Sequence, residues 1–319
     1  MSRLLLIRHG QTTSNVSHAL DTNLPGAALT DLGWSQARAA GERLARERTG
    51  EGAEDGDGQD APLAMVSSQA LRARQTAAGI ALGGSGRGLQ LERTAPGSDF
   101  ADALAQLAEL EVTDGLDHVD VGPEESATAG APAALGGGTT THPTASGSLT
   151  PSDVSSVSSA LHRPLPLVMP GAVPGISEIP AGQYEMRVDP DAHYGYHRTF
   201  AEWLGGSMDL PVPGASTGRE VVGRYLGTLL PVLSTAQRAG SDLAVVSHGA
   251  VIRLIAAYLG RVDPEFAVRT LLPNTLRVDL EVPDLGGSLA PEDLSEAVAE
   301  GWKVTDWAGH GEPPRAGRG

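Results

Sequence analysis

Four short segments carry the spacing of β-strands: Arg3 to Arg8 (RLLLIR), Leu63 to Ser67 (LAMVS), Leu243 to Ser247 (LAVVS) and Leu276 to Val282 (LRVDLEV). The first three are unbroken apolar runs, the pattern of strands covered on both faces in a parallel sheet. Stretches with helical spacing lie between them. Thr30 is placed to cap a helix from about Leu32 to Glu47, with Leu32, Ala37, Ala40 and Leu44 near one face. Further helices are predicted over Leu71 to Leu82, Gly218 to Gln237 and Ala250 to Leu259. Strands alternating with helices define an α/β layer architecture around a mostly parallel sheet.

The rhythm breaks between about residues 83 and 174, which reads as a long insertion into a single domain spanning residues 1–319. It opens with GGSGRG, and Phe100 to Leu110 has the spacing of a short amphipathic helix. From about 122 to 160 the chain is Gly, Ala, Ser, Thr and Pro with almost no large apolar residue. Such a segment cannot offset its ordering entropy and is expected to be mostly disordered. Pro164, Pro166, Pro170 and Pro174 lead back as an extended stretch. A Gly- and acid-rich loop, Gly50 to Asp60, precedes the second strand, and residues 308–319 (AGHGEPPRAGRG) read as a flexible tail.

Composition narrows the chemistry. Cysteine is absent, which removes disulfides and thiol nucleophiles and suits a reducing compartment. The apolar run at the start is too short for a secretory signal, and no stretch approaches the ~20 apolar residues of a membrane span. A cytoplasmic protein without a membrane partner is expected. The net charge of −16 argues against nucleic acid as the main ligand, since a polyanionic backbone needs a broad basic face. A small phosphorylated substrate is compatible with it, because a few converging arginines reverse the sign locally.

The informative feature is where the histidines and arginines fall. The first predicted strand ends in Arg8-His9-Gly10 and the third in Ser247-His248-Gly249; the second runs into Ser67-Ser68, with Arg72 one helical turn on. In an open parallel sheet, ligands bind beyond the carboxyl ends of the strands. Three chain-distant segments therefore bring two imidazoles and two guanidiniums to one edge. Gly10 and Gly249 allow close backbone approach, helix N-termini offer N–H groups, and arginine suits bidentate binding of phosphate oxygens. Taken singly, RHG is a turn, His248 a core histidine and Arg72 a surface residue; together they describe an oxyanion pocket with no obvious metal cage.

These residues resemble the signature blocks of the histidine phosphatase, or phosphoglycerate mutase-like, superfamily. Arg8-His9-Gly10-Gln11-Thr12 with Asn15 is similar to its RHG block, and Ala28 to Leu44 to the block that follows. Ser67 to Ala77 resembles the serine-serine block with its phosphate-binding arginine. Ile176 to Gly182 resembles the block that supplies an acid, Ser247-His248-Gly249 the second histidine block, and Leu272 to Thr275 the turn before the last strand. The resemblance implies a three-layer α/β/α fold with a mostly parallel sheet and a partly disordered insertion. It implies a metal-independent histidine acid-type phosphatase that needs no cofactor. His9 would attack phosphorus, with Arg8, Asn15, Arg72, His248 and Gly249 binding the phosphoryl group. Glu178 would protonate the leaving alcohol and then activate water against the phosphohistidine. An acid working near neutrality belongs in a desolvated or anion-facing place.

The chain also departs from the family pattern. The insertion separates Arg72 from Glu178, so Glu185, Glu109 and Glu111 are alternative acids; Gly182 at the family spacing favours Glu178. A block that carries a glutamate in the family reads Pro213-Gly214-Ala215-Ser216 here, so its carboxylate is missing. His193 and His197 stand four apart, but no carboxylate or cysteine pattern completes a metal site. They read instead as part of a substrate-facing segment in which Phe200 and Trp203 pack inward, with Tyr194, His197 and Arg198 shaping substrate preference. Asp21 to Gly26 and Ile179 to Gly182 lack the features of family mutases, which favours hydrolysis over phosphoryl return. A catalytically silent phosphate-binding scaffold is the reading from another class.

Overall fold

The computed structural model describes residues 2–49, 62–85, 171–285 and 302–317. All of them fall in a compact unit made from residues 1–114 and 168–319. The Gly50 to Asp60 loop, the Phe100 to Leu110 helix, Glu109, Glu111 and the 122–160 segment lie outside the described residues.

The described strands form one sheet in the order β3-β2-β4-β1-β5-β6. Strands β1 (Arg3–Arg8), β2 (Leu63–Ser68), β3 (Gly171–Val173) and β4 (Asp242–Ser247) run parallel, while β5 (Arg277–Glu281) pairs antiparallel with β1 and β6 (Lys303–Trp307) antiparallel with β5. The helices are α1 (Thr13–Ser17), α2 (Asp31–Thr49), α3 (Leu71–Ser85), α4 (Pro190–Leu204), α5 (Gly218–Arg238), α6 (Gly249–Gly260) and α7 (Pro264–Arg269).

Alternation along the strands builds the layers. Leu5, Ile7, Met65, Ala244 and Val246 face one way and pack with Ala40, Leu44, Ala73, Ala77 and Ile80 of α2 and α3. Leu4, Leu6, Val66 and Val245 face the other way, against Phe200, Leu229, Leu233, Ile252 and Ile255 of α4, α5 and α6. Both faces are thus covered, which explains the continuous apolar runs. Leu4, Leu5 and Leu6 are fully buried, each contributing about 1.5–3 kcal/mol by the transfer scale. Helices α2 and α3 lie unusually close: a Cβ on Gly41 would stand 2.1 Å from the Ile80 carbonyl oxygen.

Several expectations are corrected. Leu32 is 52% exposed, because the buried stripe of α2 runs through Gly33, Ala37, Ala40 and Leu44 and leaves Leu32 to one side. Thr30 does cap that helix, accepting from Gly33 N at 3.1 Å. The segment after Trp307 does not simply fray: Asp263 N donates to Pro314 O and Ala316 N to Arg261 O, both at 2.8 Å. Strands β3 and β6 were not anticipated. The first has only three residues, and the second alternates too briefly (KVTDW) to stand out. Helix α4 was also not delimited, although its start is conventional: Asp189 accepts from Ala192 N and Pro190 takes the first turn.

Candidate active site

Register places the chemistry. Arg8 of β1 pairs with Ser247 of β4, so the next residues, His9 and His248, leave adjacent parallel strands together. Their rings meet edge to face, with centroids 5.3 Å apart. Ser67 of β2 pairs with Val246, which brings Ser68 to the same edge, and its Oγ lies 2.9 Å from His248 Nε2. Helix α3 starts at Leu71, so Arg72 sits over that edge and donates from Nε to His248 Nδ1 at 3.2 Å. Because a guanidinium only donates, His248 Nδ1 accepts and Nε2–H donates to Ser68.

His9 is held from the other side. Its Nδ1 lies 2.8 Å from the carbonyl oxygen of Gly10, which can only accept, so the proton sits on Nδ1 and Nε2 keeps its lone pair. Gly10 N donates to Thr76 Oγ1 at 2.9 Å, tying the loop to α3. Burial, then the charges of Arg72 and Arg8, holds the His9 pKa well below the ordinary 6.5. Burial and Arg72 do the same at His248. Both rings are neutral at pH 7 in this state.

The guanidiniums are prepositioned. Arg8 donates from Nη1 to Leu272 O at 2.6 Å, and Arg72 from Nη2 to Asp21 O at 3.1 Å. The Asp21 carboxylate stands 3.9 Å from Arg72 Nη1 while accepting from Ser14 Oγ and Ala27 N. Arg8 Nε and Arg72 Nη1 are buried without a hydrogen-bond partner. A buried donor without a hydrogen bond is costly, and both belong to guanidiniums that line one pocket. Burial lowers the pKa of both arginines, though an arginine stays charged at physiological pH.

Asn15 shares this pocket. Its Oδ1 accepts from Thr12 N and from Asn274 Nδ2, both at 3.2 Å, which leaves its amide nitrogen for a ligand. Gly249 also lines it, and a Cβ there would stand 3.1 Å from Arg8 Nε. The Glu178 carboxylate accepts from Ile179 N, Ala250 N and Val251 N at 3.0, 3.3 and 2.8 Å. It thereby caps α6, whose own N-cap residue, His248, makes no side-chain cap. Arg224 fixes the loop beneath, donating to the carbonyls of Gly175, Ser177 and Glu178 at 2.7–3.1 Å. Glu185 is engaged elsewhere, accepting from Thr22 N, Thr22 Oγ1 and Asn23 N. Of these two acids, only Glu178 lines the pocket, whose volume is about 390 Å³.

Sequence reading therefore named Arg8, His9, Asn15, Arg72, Glu178, His248 and Gly249, and the structure brings all seven together. It missed Asp21, Ser68, Arg224 and Asn274, whose roles lie in contacts between distant segments. Phe200 and Trp203 pack inward as expected, at 3% and 2% exposure. The His193 and His197 rings stack at 6.1 Å, and His193 Nε2 donates to His18 O. Among the described residues there is no group of three or more potential metal-ligating side chains.

The ends of the parallel strands thus bring two neutral imidazoles and two buried guanidiniums together at one edge of an α/β sheet. A family model described as the histidine phosphatase superfamily (branch 1) matches residues 4–94 and 160–290. The chain belongs to that superfamily. A comparison with curated proteins found no match. Among solved structures, a mycobacterial hydrolase is 16% identical with a TM-score of 0.53, covering 97% of this chain and 99% of its own. The mycobacterial glucosyl-3-phosphoglycerate phosphatase in complex with VO3 is also 16% identical, with a TM-score of 0.52 and the same coverage. At that identity the likeness is one of fold.

Proposed function

We propose that the protein is a phosphomonoester hydrolase working through a phosphohistidine on His9, with a small phosphorylated metabolite as substrate. The observation that carries this is the lone pair left on His9 Nε2 in a pocket that the Arg8 and Arg72 guanidiniums also line. Phosphoryl transfer needs in-line positioning and fixed positive charge more than covalent help from the protein, and both are in place.

In the first step His9 Nε2 bonds to phosphorus as the ester P–O bond breaks, and the Glu178 carboxyl gives its proton to the departing oxygen. In the second, water attacks phosphorus, its proton returns to Glu178, and the N–P bond breaks to release phosphate. Three backbone N–H groups hold the Glu178 carboxylate at the pocket wall. Arg8, Arg72 and Asn15 hold the equatorial oxygens while His248 fixes the Arg72 guanidinium through Nδ1, so the scheme needs no metal. Membership in the family and the fold shared with a phosphatase support hydrolysis. A cytoplasmic setting belongs to the same proposal and rests on the absence of cysteine.

The test is phosphate release from a panel of phosphomonoesters, with trapping of acid-labile phosphoprotein. His9→Ala is expected to abolish both. Substantial turnover by that variant would remove His9 from the mechanism, and phosphate binding without any phosphoprotein would favour a silent scaffold.

A further inference from the structure

Glu185 lies outside the catalytic pocket, yet it grips the turn on which Arg72 rests. Its Oε1 accepts from Thr22 N at 2.9 Å and from Asn23 N at 3.0 Å, and its Oε2 accepts from Thr22 Oγ1. The same hydroxyl accepts from Ala181 N at 2.9 Å, which joins the turn to the segment carrying Glu178. The N–H of Thr22 and the carbonyl of Asp21 belong to one peptide group, and that carbonyl accepts from Arg72 Nη2 at 3.1 Å. A peptide group is planar and rigid, so a carboxylate holding its N–H fixes the direction of the oxygen on the other side. Hydrogen bonds at both ends of one amide also polarise and strengthen each other. Further on, the turn closes over the guanidinium. Leu71 N donates to Pro25 O at 2.8 Å, and a Cβ on Gly26, whose φ is +67°, would stand 2.1 Å from Arg72 Nη1. Glu185 itself faces a separate cavity of about 400 Å³, with Pro180, Gly182 and Gly214.

We infer that Glu185 is a positioning residue for Arg72: through the Asp21–Thr22 peptide it sets where the guanidinium meets the phosphoryl oxygens. This rests on the phosphatase proposal for what Arg72 binds. The Asp21 side chain does not fix the guanidinium by itself, because its carboxylate stands 3.9 Å from Nη1 and is engaged by Ser14 and Ala27. Oriented contacts tolerate little displacement, and a shift of about 1 Å in a binding group costs on the order of 100-fold. Glu185 touches neither the ligand nor the reacting atoms, so its removal acts by letting the turn, and Arg72 with it, move.

Calorimetric binding of inorganic phosphate to the full chain, with kcat/KM for one phosphomonoester alongside, tests this. Glu185→Ala is expected to weaken phosphate binding and lower kcat/KM by about tenfold or more. Glu185→Gln keeps Oε1 as an acceptor for both backbone N–H groups and should stay within about threefold of wild type. The same two variants are then made in an Arg72→Met background. There the effect of Glu185→Ala should shrink to about twofold or less, because the group it positions is gone. An undiminished effect in that background would overturn the role, as would Glu185→Ala protein that binds phosphate like wild type. Equal losses in the Ala and Gln variants would overturn it too, since the peptide bond contacts would then not matter. Should thermal melting show that Glu185→Ala does not fold, Thr22→Val takes its place by removing the hydroxyl shared by Glu185 and Ala181. It should weaken phosphate binding about threefold when Arg72 is present and much less in Arg72→Met; equal effects in both would refute the coupling. Phosphate binding is read without turnover. If no phosphoprotein forms on His9 the catalytic reading fails, while the coupling to Arg72 still decides the role of Glu185.

Discussion

Replacing Arg72 by methionine tests the whole electrostatic arrangement with one residue. The residue is 2% exposed and ties the site together: Nε donates to His248 Nδ1, Nη2 donates to Asp21 O, and Nη1 faces the Asp21 carboxylate at 3.9 Å. Methionine keeps much of the volume and removes the charge and every donor. Losing one preorganised donor to a developing oxyanion costs about 2.7–4 kcal/mol, or roughly 100- to 1,000-fold in kcat. Losing a second and the formal charge sets that range as a lower bound. The sign of the pH effect also follows. Arg72 is among the causes that depress the His9 pKa, second only to burial, so its removal raises that pKa toward 6.5. The nucleophile must be neutral, so activity falls as pH drops through its pKa, and the acid limb of kcat/KM should move to higher pH. Arg72→Lys restores a charge without the Nε–His248 contact and should keep the wild-type limb more closely while still losing turnover. The assay is steady-state phosphate release from pH 4.5 to 8, with thermal melting to verify folding. Less than fivefold loss in Arg72→Met, or an acid limb that stays fixed or moves down, would refute the reasoning.

Three further outcomes are expected. Glu178→Gln should slow alkyl phosphates by about 100-fold or more and aryl phosphates much less, since good leaving groups need little protonation; equal losses would move the acid elsewhere. Arg224→Met, which frees the carbonyls of Gly175, Ser177 and Glu178, should reproduce that leaving-group bias in weaker form, and its effect should shrink in a Glu178→Gln background. Stability should also depend on pH. His9 and His248 have folded pKa values held well below 6.5, so between 6.5 and those values the unfolded chain binds more protons. The contribution is fully present above about pH 6.5 and is lost as pH falls through the window. Melting temperature should drop on acidification, less steeply in His9→Ala; a flat profile over pH 5–7 would contradict the neutral, buried assignment.

What could be read from the chain alone was whatever local pattern encodes. Continuous apolar runs located β1, β2 and β4, because a strand buried on both faces has no polar side to show. Histidines at the ends of two such runs, with Arg72 just beyond the third, located the site, because parallel strands bring their carboxyl ends to a common edge. Short edge strands such as β3 and β6 have too few residues for a period to emerge, and the burial of Trp302 and Trp307 depends on a sheet the local sequence does not describe. The choice between Glu178 and Glu185 was likewise tertiary. Seven residues apart, they differ in what folds against them, the N-terminus of α6 for one and the Thr22–Asn23 backbone for the other. The tautomer of His9 and the fixing of Arg72 by Asp21 have the same origin. Hydrogen-bond partners drawn from segments tens to hundreds of residues apart are selected by packing and strand register, which no local period records.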